Sequence, residues 1–343
     1  MTAKMITVDN MQIFIKRLLE SSTIYAPSKQ PGNVIRYTQI NTPEDITVNF
    51  SNSDISPKEL FFPQTEELFH FNQTGEGIDL SAQWPALKQR IIFGMRACDV
   101  QALVALDPVF NGQWPDPHYA EHRQKTLLIC LACERALPTC FCNAFGVDPI
   151  APEGADLVLI SHREGYIIEE CSDKGRELTG LYEDLFIQGD IDPERIKEER
   201  RKQLNEQFVH HISPFKAKET MDQYFELSYW DEVSRKCLGC GICTYICPTC
   251  HCFDVFDYAP QETTGSRCRC WDSCMYGDFT KMAGGHNPRP TKKERVRNRF
   301  MHKIKYHLDR YGIDGCVGCG RCIIKCPVNM DITRIITDLG EVK

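Results

Sequence analysis

Eight of the 19 cysteines in this chain fall into two copies of one spelling, C-x2-C-x2-C-x3-C-P. They are Cys237, Cys240, Cys243 and Cys247 before Pro248, and Cys316, Cys319, Cys322 and Cys326 before Pro327. Three thiolates spaced two residues apart curl around one face of a 4Fe-4S cube, and the fourth, carried off by the next turn, reaches a second cube. This crossing rule assigns Cys237, Cys240, Cys243 and Cys326 to one cluster and Cys316, Cys319, Cys322 and Cys247 to the other. Each proline stops its run from continuing as helix. Zinc also takes C-x2-C pairs, in tetrahedral sites closed by four ligands. A zinc-stabilised scaffold would leave one cysteine of every run idle and would not explain why the run appears twice with proline behind it.

Four more cysteines point to a third 4Fe-4S site. Cys98 follows the apolar stretch from Ile91 to Met95, and Cys133 follows the stretch from Leu127 to Leu131. Both stand where a strand of an α/β sheet would end, and ligands gather outside the carboxyl ends of such strands. The C-x-C pair Cys140 and Cys142 can put two more thiolates on the same site. Cys130, inside an apolar run, reads as a small buried hydrophobe, and the isolated Cys171 as structural. A fourth site is open to Cys250, Cys252 and Cys274 with Cys270, or with Cys268 in its place. His251 and His286 stand alone and are better read as satisfied by hydrogen bonds than as ligands.

The elements that must hold these residues are legible in outline. Asp9 is placed to cap a helix running to about Ser21. Short β-rich stretches follow at 45–50, 90–95, 126–131, 155–160 and 166–169, with a helix-like stretch at 100–106. The expected fold is α+β. An N-terminal α/β domain over residues 1–175, with its own 4Fe-4S site, leads through a helical connector over 176–228. A two-cluster, bacterial-ferredoxin-like domain follows over 229–343, with a long insertion at 249–315 between its cysteine runs. A basic stretch from Arg289 to Arg310 carries Val296, Phe300, Ile304 and Leu308 at helical spacing, so it is expected to be an amphipathic helix entering the second run. Its charges form a solvated face, offset anionic clusters nearby, or meet an acidic partner subunit.

Composition narrows the class. A chain of 343 residues with 42% hydrophobic content supports two or three ordinary cores. The N-terminus shows no apolar signal segment and no run approaches the ~20 residues of a membrane span, so reduced thiols in an anaerobic cytoplasm are expected, with no direct membrane insertion. A net charge of −7 argues against nucleic acid as the main partner. The chain has no G-x-G-x-x-G, no P-loop and no nucleophile elbow. Electron transfer without a catalytic centre of its own is therefore expected. A flavin bound in the α/β domain is the alternative within the oxidoreductases.

Several motifs together resemble the iron-sulfur electron-transfer component of anaerobic sulfite reductase and the beta subunit of cytosolic sulfhydrogenases. They are the stretch from Ser56 to Pro63, Gly94 to Asp99, Thr139 to Cys142, Cys247 to Cys252, Trp271 to Cys274, and the two cysteine runs. The resemblance implies a subunit that relays electrons between a flavoprotein partner, which binds FAD and NAD(P)H, and a catalytic redox subunit such as a sulfite reductase or a nickel-iron hydrogenase. The chain departs from the common pattern at Cys130, Cys268 and Cys270, which leaves the membership of the insertion's site open.

Overall fold

Apolar, β-branched runs build the larger of two sheets. The computed structural model describes residues 2–82 and 87–341. Its strands are β1 (Thr2–Thr7), β2 (Thr23–Gln30), β3 (Val34–Gln39), β4 (Thr65–Thr74), β5 (Gly77–Ser81), β6 (Arg90–Met95), β7 (Thr126–Leu131), β8 (Leu157–His162), β9 (Gly165–Glu170), β10 (Ile187–Asp190), β11 (Phe253–Tyr258) and β12 (Thr264–Trp271). Eight of them order as β10-β1-β9-β8-β7-β6-β2-β3, with β2, β6, β7 and β8 parallel to one another in the centre.

A parallel centre must be covered on both faces, and here it is. Ile92 packs with Val100, Leu103 and Leu106 of the helix Ala97–Phe110. Ile91 and Phe93, pointing the other way, pack with Phe14 and Leu18 of the helix Val8–Ser21. That first helix is capped by Thr7, whose hydroxyl accepts from the Asn10 amide, and the expected cap Asp9 lies in its first turn.

The expected strand at 45–50 is not one. Pro43–Asp45 is a 3-10 turn closed by a capping box between Thr42 and Asp45, and the chain beyond it is irregular. The carbonyls of Val48 and Phe50 accept from the buried guanidinium of Arg96. That side chain takes the part a neighbouring strand would play. The N-terminal sheet also reaches past residue 175, because β10 pairs antiparallel with β1. The connector is thus a helix, an edge strand and then two further helices, Pro193–Asn205 and Pro214–Met221.

The second sheet joins distant parts of the chain in the order β11-β12-β4-β5. The insertion between the cysteine runs contributes the hairpin β11–β12, and β12 pairs with β4 of the N-terminal region from Thr264↔Asn72 to Cys270↔Thr65. The two halves therefore share a sheet. Around the runs themselves, Trp230, Val296, Phe300, Ile335 and Ile336 form a separate core. Each run turns into a short helix, Ile242–Tyr245 or Arg321–Ile324, after a glycine in the left-handed region, Gly241 at φ 75° and Gly320 at φ 74°. Among the described residues no helix is long and apolar enough to cross a membrane.

Candidate functional site

The structure gathers the cysteines into groups around cavities. Among the described residues no three Cys, His, Asp or Glu side chains can hold a single metal ion. Cys237, Cys240 and Cys243 of the first run and Cys326 of the second line one cavity of about 30 Å³, roofed by Val296, Phe300 and Met330. Amides point at two of these sulfurs: Gly239 N–H to Cys237 Sγ at 3.4 Å and Met330 N–H to Cys326 Sγ at 3.2 Å. Such donors stabilise thiolate and tune a cluster it holds.

Cys316, Cys319 and Cys322 lie together on the other side, and the fourth member of their group comes from the first run. Burial raises all three thiols, and negative charge on Cys247 raises each of them further, which places Cys247 beside all three. Thr249 stands 3.3 Å from Cys247 Sγ, and its hydroxyl donates to Gly315 O at 2.7 Å, tying the two runs together.

Cys98, Cys133, Cys140 and Cys142 meet around a second small cavity, of about 20 Å³. Cys98 opens the helix after β6 and Cys133 lies just beyond β7, so adjacent parallel strands deliver both. The other two come from the loop after Cys133, pinned where Phe141 N–H donates to Gly318 O at 2.9 Å. Burial pushes the thiol of Cys140 up to about 11 and raises the other three as well. Cys319 lines this cavity too, which makes the N-terminal group a direct neighbour of the second ferredoxin group.

The remaining cysteines divide. Cys250 is hydrogen-bonded to Cys247, and Cys252 to Cys274, the latter contact holding Cys252 down to about 7. Neither Cys270 nor Cys268 joins them. Both lie on β12, where Cys268 faces Phe256 and Cys270 faces Asp254 across the hairpin. After burial, the charges bearing on Cys268 are those of Glu67, Asp257 and Cys270, and on Cys270 those of Asp254 and Asp272. Cys130 is fully buried in β7, and Cys171 is exposed with its thiol toward Glu169 O at 3.7 Å. His251 donates from Nδ1 to Thr249 O at 3.1 Å, since a carbonyl only accepts, and His286 is exposed.

Three buried cations face the thiols. Arg299 and Lys303 lie on the basic segment Lys292–Met301 and its continuation to Tyr311, which bulges by one π turn at His302–Tyr306. Burial lowers both, but the charges of Cys243, Cys322, Cys250 and Cys247 around Arg299, and of Cys247, Cys250 and Cys316 around Lys303, raise them more. Arg299 Nε and Nη1 are buried with no hydrogen-bond partner among the described residues. Lys303 donates to Thr249 Oγ1 at 2.7 Å and Gly315 O at 2.9 Å. The third, Lys58, donates to Cys250 O at 2.9 Å and sits 4.0 Å above the Trp271 ring; burial pulls it down to about 8. Neutral thiols would leave these buried charges uncompensated, at a cost of several kcal/mol. Cubes held by four thiolates carry the negative charge that compensates them, so the residues present fit 4Fe-4S clusters.

Lys58 lies in the Ser56 to Pro63 stretch that carries part of the resemblance, but neither its type nor its spacing marks it as functional. Arg299 and Lys303 did carry a signal: they stand three and seven residues after Val296, on the stripe that also carries Phe300 and Ile304.

A buried bidentate ion pair locks the two halves at these sites. Arg321 donates to the Asp99 carboxylate at 2.8 and 2.7 Å, and its Nε donates to Ser53 O at 2.8 Å. Asp99 follows Cys98, and Arg321 stands between Cys319 and Cys322.

Residues 236–330 match the family model described as a 4Fe-4S dicluster domain. Over 335 residues, 96% of this chain and 95% of the relative, the sequence is 29% identical to sulfhydrogenase 2 subunit beta of Pyrococcus furiosus. The last third of the chain is thus an iron-sulfur dicluster domain, and the likeness to an oxidoreductase subunit runs through the N-terminal half as well.

Proposed function

We propose that this chain is the electron-relay subunit of a soluble, cytosolic multi-subunit oxidoreductase, carrying electrons through at least three 4Fe-4S clusters between a flavoprotein that binds FAD and NAD(P)H and a terminal redox module. The ligand sets are Cys98, Cys133, Cys140 and Cys142; Cys316, Cys319, Cys322 and Cys247; and Cys237, Cys240, Cys243 and Cys326. One observation carries the reading: Cys319 lines the N-terminal cavity while belonging to the second run, so the three groups form a series with the second run in the middle. Rigid cofactors close together in a dry setting are what electron transfer requires, and small thiol-lined cavities with buried cations beside them favour that setting.

The similarity to a sulfhydrogenase subunit supports a terminal module of that kind, and a sulfite reductase is the other module with which such a relay would work. Anaerobic purification of the chain with its copurifying subunits tests the proposal. The expected result is a brown protein whose relay chain carries at least about twelve irons with matching acid-labile sulfide, enough for three cubes, its reduced clusters magnetically coupled in paramagnetic resonance. Colourless protein without labile sulfide refutes it.

A further inference from the structure

Two of the thiol groups line small cavities of about 20 and 30 Å³, whereas Cys252 and Cys274 form part of the wall of a far larger cleft of about 440 Å³. Behind them lies Cys250, whose charge environment includes Cys252, and Cys274 is adjacent to Cys243 of the first run. A thiol trio thus stands beside both ferredoxin groups. No fourth cysteine closes it, since Cys247 belongs with the second run and Cys268 and Cys270 lie on β12 among carboxylates. The missing side of the trio is the cleft.

The cleft's walls fit an anion. Arg289 and Arg310 reach it from opposite ends of the basic segment, and His251, His302 and His307 line it as rings 5.3 to 6.0 Å apart. The Nδ1–H groups of His251 and His307 are taken by carbonyls, Thr249 O at 3.1 Å and Ile313 O at 2.9 Å, and burial keeps all three rings neutral, so the positive charge on the walls is that of Arg289 and Arg310. Lys58, Arg299 and Lys303 add positive charge from behind the trio.

Resting on the iron-sulfur reading of the chain, we infer that Cys250, Cys252 and Cys274 hold a further cluster whose fourth iron has no protein thiolate and opens onto this cleft, where it binds a small sulfur anion, inorganic hydrosulfide or an organic thiolate. A relay cluster needs four closed ligands; one with an open position is built to take an exogenous ligand, as catalytic metal sites are. Iron in a thiolate-rich site favours soft sulfur donors, and the surrounding cations favour anions. The cleft has room for more than the ligating atom, so an organic thiolate fits as well as hydrosulfide.

The full chain, reconstituted anaerobically with iron and sulfide, tests this directly. Cys252→Ser and Cys274→Ser should each lose about four irons while both ferredoxin signals persist, and Cys268→Ser and Cys270→Ser should lose none. Adding hydrosulfide, or separately cysteine, to the reduced wild-type chain should shift one cluster's resonance. That shift should vanish in Cys252→Ser and need roughly tenfold more ligand in an Arg289→Ala/Arg310→Ala variant. A response to only one of the two additions identifies which source of sulfur the cleft accepts. Unchanged iron in Cys252→Ser overturns the cluster, and iron loss in Cys270→Ser or no shift with either ligand overturns the open position. Because the ferredoxin signals are read in the same samples, their loss would mark a failure of the relay proposal instead.

Discussion

Removing one carboxylate should weaken the contact between the two halves of this molecule, which also share a sheet. Asp99 is fully buried and Arg321 is 2% exposed, and they meet through two hydrogen bonds of 2.8 and 2.7 Å. Hydrogen bonds to charged groups are worth about 1.5–3 kcal/mol each, so Asp99→Ala forfeits about 3–6 kcal/mol. The independent expectation for breaking a buried pair and stranding one charge is about 3–5 kcal/mol. Arg17 and Asp184 form the control, a pair with side chains 42% and 58% exposed, for which Asp184→Ala should cost at most about 1 kcal/mol. Urea unfolding of the reconstituted chain, followed by circular dichroism and converted through a common slope, measures both. The double variant Asp99→Leu/Arg321→Met should recover most of the loss, because two apolar side chains strand no charge. A cost for Asp99→Ala no greater than that for Asp184→Ala would refute the argument that this pair locks the halves together.

The close approach of Gly318 to the N-terminal loop gives a second test: at φ +60°, a Cβ there would collide with Phe141 O and stand 2.5 Å from Cys142 N, so Gly318→Ala should cost about 2–5 kcal/mol in the same urea assay. Gly146→Ala, at φ +68° with open space around it, should cost only the backbone strain of about 1–2 kcal/mol. Arg299→Met should lower the potential of the adjacent clusters, because a cation favours the more negative, reduced state. A unit charge roughly 10 Å from a cube in an effective dielectric of about 20 is worth ~1.7 kcal/mol, or ~70 mV for one electron, which a redox titration followed by paramagnetic resonance will read. Cys243→Ser and Cys326→Ser, 83 residues apart (326 − 243), should extinguish the same resonance signal, and losing different ones would show the crossed ligand sets to be mistaken. Cys98→Ala should remove about four irons and leave both ferredoxin signals; unchanged iron by chemical analysis would count against the N-terminal cluster.

Local features made part of this architecture legible. A C-x2-C-x2-C run is a local device, complete within a dozen residues, so its chemistry can be read from spacing alone. Cys98 and Cys133 were legible for a related reason: each ends a continuous apolar stretch, and a parallel sheet buried on both faces writes such stretches plainly. The pairing of β12 with β4 was not legible, because nothing within Thr65–Thr74 names a partner nearly 200 residues away; its register rests on side chains that meet only in the fold, such as Arg269 with Glu66 and Asp116. The stretch at 45–50 misled because its alternating residues read as a strand, whereas its carbonyls are satisfied by a guanidinium instead of a neighbouring strand.

The basic segment carries the more general point. A count of charges treats Lys292, Lys293, Arg299 and Lys303 alike, yet Lys293 pairs with Asp231 at the surface while Arg299 and Lys303 are buried against thiols. Helical phase separates them: positions 296, 299, 300, 303 and 304 share one stripe, so two cations were committed to the interior along with Val296, Phe300 and Ile304. A charged residue in phase with an apolar stripe is affordable only where anionic charge waits inside, and here the stripe faces Cys243, Cys247, Cys250, Cys316 and Cys322. The same helix face therefore fills a core and sets the electrostatics of the clusters, which is why Arg299→Met should leave packing nearly intact while moving a potential.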